Sequence, residues 1–176
     1  MNSHYWTPGR LALGLLVIIM VSFWGWIYLG APRENPDRFA DPSFAEAAEH
    51  VCTPIQAEID QLPPGHEAES AQSHGLVVRT GTDLTITMVS ELRALLPLVT
   101  DADALGRINR WFEDWDAYIA DREAHVTRLT EATADTPDRE LAFLVSERVA
   151  GGFYTARMDG LANVNDMESC HVPKDI

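Results

Sequence analysis

The chain has 176 residues, enough for one domain and an appendage, and carries a net charge of −14. The charge is uneven: residues 1–30 hold a single Arg10 and no acid, so residues 31–176 carry 12 basic and 27 acidic side chains. A surface this acidic repels phosphate backbones and anionic headgroups, which argues against nucleic acid as a partner.

The first predicted element is "LALGLLVIIMVSFWGWIYLG", Leu11–Gly30, which contains no charge. Twenty residues at about 1.5 Å each span about 30 Å, the thickness of a bilayer's hydrocarbon core. Thr7 and Pro8 supply an N-cap and a first helical residue. Tyr5 and Trp6 lie at one end and Trp24, Trp26 and Tyr28 toward the other, as interfacial aromatics do. A cleaved signal peptide is the competing reading. The apolar run is long for that role, and Leu29 stands where cleavage after Ala31 requires a small residue. The lipid bilayer is therefore the first expected partner, through residues 11–30.

"APRENPDRFA", Ala31–Ala40, reads as an extended tether of at most about 36 Å. Asp41-Pro42 then opens a helix with an apolar stripe at Phe44, Ala48, Val51, Cys52, Ile55, Ile59 and Leu62. Pro54 inside the stripe predicts a kink or break near His50–Thr53. The stretch from Leu76 to Leu96 alternates like a strand at Leu84–Met88. Helical spacing nevertheless persists for about 20 residues, and that length decides for helix. A third long helix, capped at Thr100 or Asp101, runs to about Glu131. Its outer face, Arg107, Arg110, Asp114, Asp121 and Arg128, reads as solvated. The apolar runs flanking Ala150-Gly151-Gly152, with Phe143, Val145, Phe153 and Tyr154, predict a β-hairpin. "ARMDGLANVNDM" predicts a short final helix.

The expected fold is thus mainly α: an N-terminal transmembrane helix, then a three-helix bundle-like domain with a small β-hairpin and a short C-terminal helix. In domain terms, residues 1–10 form a tail, 11–30 the membrane helix, 31–40 the tether and 41–176 an extracytoplasmic helical domain.

Cys52 and Cys170 stand near the two ends of the post-membrane region. In an oxidising compartment they are expected to pair, closing a loop of about 120 residues worth roughly 5 kcal/mol in the chain-entropy model. A zinc site with His50 and His171 is the alternative, but His-x-Cys and Cys-His are tighter than the usual zinc spacings. Lys and Arg near the membrane ends slightly favour a cytoplasmic domain, with Arg10 against Arg33 and Arg38. The cysteine pair decides for the outside.

Candidate chemistry is sparse. The third helix seats apolar residues at Leu105, Ile108, Phe112, Trp115 and Ile119, and then the series meets Arg122. A seam arginine reaches water along its neighbours, takes a buried ion pair or carbonyl cap, or binds an anion. All three readings stay open. Trp111 and Trp115 form an aromatic strip that suits core packing first and ligand stacking second. Asp159, Asn163, Asn165 and Asp166 lack calcium-loop spacing and read as helix capping. No G-x-S-x-G, Walker A, G-x-G-x-x-G, H-E-x-x-H or C-x-x-C occurs, so no catalytic residue, metal ligand or cofactor is assigned.

The run "FADPSFAEAAEHVCTPIQAEIDQLPP", the helix "RWFEDWDAYIADREAHVTRL" and the ending "LANVNDMESCHVP" resemble a group of uncharacterised actinobacterial single-pass membrane proteins. That resemblance implies an anchor with a small extracytoplasmic domain, and it brings no activity to any position. The expected role is a non-enzymatic module of the cell membrane that contacts another envelope protein. A ligand-binding or sensing domain at the cell surface is the alternative, and an envelope hydrolase a more distant one.

Overall fold

A computed structural model describes residues 7–30, 35–146 and 152–173. It divides into two units, residues 1–35 and 36–176, and each is described by itself.

The first unit is α1, Pro8–Leu29, a helix of 22 residues long and apolar enough to cross a membrane. Thr7 Oγ1 accepts a hydrogen bond from the Arg10 amide, and Pro8 takes the first helical position, where its missing N–H is no loss. The Trp24 and Tyr28 rings stack at 5.8 Å between centroids, one helical turn apart. None of its side chains is buried, so there is no packed face for a soluble core to have used.

The second unit is built of α2 (Ser43–Ile59), α3 (Ala71–Ala94), α4 (Ala102–Glu131) and α5 (Tyr154–Val164), with 3₁₀ turns at Gly65–Glu67, Leu96–Leu98, Asp138–Glu140 and Glu168–Cys170. Asp41 takes both the amide and the hydroxyl of Ser43 just before α2. Of the kink or break expected at His50–Thr53, the break does not occur: the helix continues through Pro54. Just before the proline, the Thr53 hydroxyl bonds back to the Glu49 carbonyl at 2.7 Å, in the usual i−4 manner of a helical threonine.

Ser70 and Ser73 form a reciprocal capping box that starts α3. Its buried seam is Gly75, Val78, Thr82, Thr85, Val89 and Leu92, at alternating steps of three and four. The two threonines fit because each hydroxyl bonds to its own i−4 carbonyl, Val78 and Gly81 respectively. Gly75 lets α3 approach α4 closely: a methyl group there would lie 3.2 Å from Leu129 Cβ.

Asp101 caps α4 by accepting from the Asp103 and Ala104 amides. The 30 residues of α4 form the spine of the unit. One side packs along α3, another receives α5, and α2 closes the main core. That core gathers Trp111, Phe112, Trp115, Tyr118, Met88, Leu92, Ile108, Tyr154 and Met158. A smaller cluster, Val78, Val126 and Leu129, lies at the far end of α4.

The expected β-hairpin is not supported: among the described residues there is no strand, and residues 147–151 at the expected turn lie outside them. Tyr154 instead begins α5, where Tyr154, Met158 and Ala162 recur every four residues and are all fully buried. On the other flank, the Ser146 amide is taken by the Asp121 carboxylate, so it needs no partner strand. Both flanks therefore satisfy their backbone or bury their apolar face without a sheet.

Residues Asp37–Phe39, expected as tether, pack into the domain. The Asn165 side chain accepts from the Phe39 amide and donates to the Asp37 and Leu161 carbonyls. Arg38 reaches the Val164 carbonyl and Asp166. Asp166 holds φ 59°, the left-handed position of a Schellman ending on α5, with Met167 N bonded to Ala162 O. Three of the four polar residues Asp159, Asn163, Asn165 and Asp166 thus have side chains engaged in holding other parts of the chain, with Asp159 accepting from the Val172 amide.

Candidate functional site

Polar groups in the second unit gather around α4 at two places. The first is the side facing α5. Asp114 is 1 % exposed and receives both Nε and Nη2 of Arg157, at 2.8 and 2.6 Å. This fork-to-carboxylate pairing is the strongest geometry available to the two groups, and it raises the Arg157 pKa further, chiefly through the hydrogen bond. Two turns along, Asp121 Oδ2 accepts from Ser146 N, Ser146 Oγ and Tyr154 Oη. Burial and the Asp121 carboxylate together push the Tyr154 phenol upward, keeping it a neutral donor. Asp114 and Asp121 therefore do not lie on a solvated face. The helix is covered on that side by α5, which an apolar-only stripe could not announce.

The second place is the α3–α4 seam. Arg122 is 4 % exposed. Its Nε donates to Thr82 Oγ1 at 3.0 Å, Nη1 to Tyr118 Oη at 3.1 Å and Nη2 to the Val78 carbonyl at 3.1 Å. Tyr118 passes the chain on by donating to the Pro173 carbonyl at 3.3 Å. Burial raises the Tyr118 pKa, opposed by the Arg122 charge beside it. Among the described residues no carboxylate lies within ion-pair distance of Arg122. Of the three readings of this residue, the geometry is that of a carbonyl and hydroxyl cap: it ties α3 to α4 and to the chain after the last 3₁₀ turn.

His125, three residues further along the same seam, is 2 % exposed. No catalytic motif in the sequence includes it. The signal was nonetheless present: Tyr118, Arg122, His125 and Leu129 step by four, three and four, all buried. Its ring contacts His74 of α3 edge-on at 5.8 Å and Phe143 at 5.4 Å.

Trp111 and Trp115 are 2 % and 0 % exposed and meet edge to face at 5.8 Å. Neither ring face is open for a ligand to stack on. None of the grooves found among the described residues is lined by Arg122 or by either tryptophan. A groove of about 200 Å³ lies beside the seam, lined by Arg79, Thr82, Asp83, Glu123, Val126 and Thr127, with both signs of charge and none of the predicted site residues.

Cys52 and Cys170 are joined in a disulfide, Cα atoms 5.2 Å apart, linking α2 to the 3₁₀ turn Glu168–Cys170. Both are fully buried. The bond uses both thiols, so they are not zinc ligands. Glu49 reinforces the junction by accepting from the Ser169 amide and hydroxyl. Among the described residues no three His, Cys, Asp or Glu side chains converge as metal ligands.

Comparison of the chain with family models, with curated proteins and with solved structures finds no match. The functional reading rests on the residues alone.

Proposed function

We propose that this protein is a single-pass anchor of the cell membrane whose helical domain stands outside the cytoplasm and acts by contact with another envelope protein. The observation that carries the reading is α1: 22 residues, uncharged from Leu11 onward, with every side chain unburied, a segment for which lipid is the natural partner. The Cys52–Cys170 disulfide supports an extracytoplasmic domain, because such bonds persist in oxidising compartments. Packing of Arg122, Trp111 and Trp115 into the interior supports contact over capture of a small ligand, since the side chains best suited to line a pocket are spent on the core. Leu76, Leu144 and Phe153, each more than half exposed, are the apolar side chains of the domain best placed to meet a partner. The acidic surface disfavours nucleic acid.

The test is fractionation followed by protease treatment of intact cells. The reading expects the full chain to stay in the membrane pellet through alkaline carbonate and its domain to be cut from outside. Release by carbonate, or cleavage only after lysis, contradicts it.

A further inference from the structure

The charges acting on His125 are all basic in a chain of net charge −14, and the Asp121 carboxylate one turn earlier on α4 is taken up by Ser146 and Tyr154. Those acting on His125 are Arg128, His74 and Arg122, in that order. Arg122 and Arg128 belong to its own helix, and His74 comes from α3. The covering segment, residues 141–146, has the sequence LAFLVS and brings no ionisable side chain. The 3₁₀ turn Gly65–Glu67 closes over His74 so tightly that a methyl on Gly65 would lie 2.3 Å from His74 Nε2, while its His66 and Glu67 are not among the charges acting on His125. Neither His125 Nδ1 nor His74 Nε2 has a hydrogen-bond partner among the described residues. A proton added here would be a buried cation beside two guanidinium groups, with no described carboxylate to offset it.

The cover is the part of this site that can yield. Residues 141–146 form neither helix nor strand. They are held by Phe143, which lies against His125 at 5.4 Å and Tyr118 at 6.0 Å, by the half-buried Leu141 and Val145 at the edges of the smaller and the main core, by Ser146 on Asp121, and by a long 3.4 Å bond from Arg128 Nη2 to the Ala142 carbonyl. Separating α3 from α4 would instead expose Val78, Val126 and Leu129 together. Segments with few buried contacts open first.

We propose that residues 141–146 are an acid-released strap: protonation of His125, against His74, lifts Phe143 from the α3–α4 seam and exposes the face around Tyr118 and His125, while the disulfide-closed remainder stays folded. The sign follows from the direction of the perturbation. Burial first, then Arg128, His74 and Arg122, hold the His125 pKa down at about 4 instead of the ordinary 6.5. The closed strap is therefore fully favoured above pH 6.5 and loses ground as pH falls from 6.5 toward 4. Between pH 7.5 and 4.5 the closed-to-open ratio drops by a factor of roughly 50 to 100 if the opened imidazole titrates normally.

Hydrogen exchange on the full chain in detergent micelles tests this. The reporter is the amide of Ser146, bonded to Asp121 across the strap, with the α2 amides as internal reference. Corrected for intrinsic rates, protection at the reporter falls by that factor at pH 4.5 while α2 keeps its own. In His125→Phe, which keeps a ring against Phe143 and cannot titrate, the fall shrinks to less than about threefold. An unchanged wild type overturns the proposal. So does an equal fall in His125→Phe, which would assign the effect to Asp121, or a parallel loss in α2, which would make it global unfolding. Should His125→Phe not fold, the wild-type imidazole decides by NMR: titration below pH 5, in step with reporter loss, supports the strap, and a midpoint near 6.5 overturns it.

Discussion

Asp114 and Arg122 sit two turns apart on α4 and are buried to nearly the same degree, yet the chain treats them differently. The carboxylate receives an opposite charge, Arg157, in a two-pronged bond whose outer partner is half exposed. The guanidinium receives only neutral acceptors, the Thr82 and Tyr118 hydroxyls and the Val78 carbonyl. Chemistry explains the asymmetry. A carboxylate concentrates its charge on two oxygens and can only accept, so once buried it needs strong donors, and Arg157 supplies two at once. A guanidinium spreads its charge over five donors and is weakly hydrated, so ordinary backbone and hydroxyl oxygens can hold it in a seam. The α5 side of α4 is therefore a charge-paired face, and the α3 side a face of excess positive charge covered by residues 141–146.

The largest effect concerns neither face alone. Replacing Cys52 and Cys170 by Ala frees a loop spanning 118 residues, and should lower stability by about 4–5 kcal/mol in the chain-entropy model, read by urea unfolding in micelles. A loss below about 1 kcal/mol would mean that the helices hold the two ends without the staple.

The comparison of the two faces sharpens with Arg157→Met. It leaves Asp114 buried without a counter-charge and should cost about 3 kcal/mol or more. Asp114→Asn, which leaves the half-exposed Arg157 free to turn to water, should cost about half as much or less. Equal losses would show that the pair, and not the buried carboxylate, sets the cost. On the other face, Arg122→Ala should cost about 3 kcal/mol, because it empties a packed site and strips partners from Thr82 and Tyr118.

Acid should separate the faces as well. His125 has its pKa lowered to about 4, so the unfolded chain takes up a proton that the folded chain resists between pH 6.5 and 4. The wild type should lose on the order of 2–3 kcal/mol more than His125→Phe across that window. Equal pH slopes would remove His125 from the account. The smallest effect is expected at Gly75→Ala, about 1–2 kcal/mol, from a methyl placed 3.2 Å from Leu129 Cβ and 3.4 Å from Thr130 Oγ1. A stabilised variant would show that α3 can move off α4 there.

Most of the helical fold was legible because its signals are local. Pro8 and Asp101 mark helix starts, and the α4 pattern runs from Leu105 to Leu129 with little interruption. What misled was a residue type read apart from its partners. Gly152, beside a second glycine, suggested a turn between strands, while the i, i+4, i+8 repeat of Tyr154, Met158 and Ala162 was the stronger fact. Pro54 suggested a break that its neighbours in α2 overrode. Asp114 looked like surface because its partner, Arg157, arrives from 43 residues away in sequence. The same non-locality hid the site at Arg122: the helix showed that a guanidinium was seated wrongly for an apolar seam, but Thr82 and Val78 could be named only once α3 lay beside it.

If α1 anchors the disulfide-closed helical domain on the oxidising side of a membrane, as proposed, both properties can be read at once by alkylating the thiols in denaturant at the moment of lysis and analysing the membrane pellet by peptide mass. The account predicts one linked peptide pair containing Cys52 and Cys170, with no alkyl group on either until a reductant is added. Both cysteines alkylated without reductant, or the chain recovered in the soluble fraction, would contradict it.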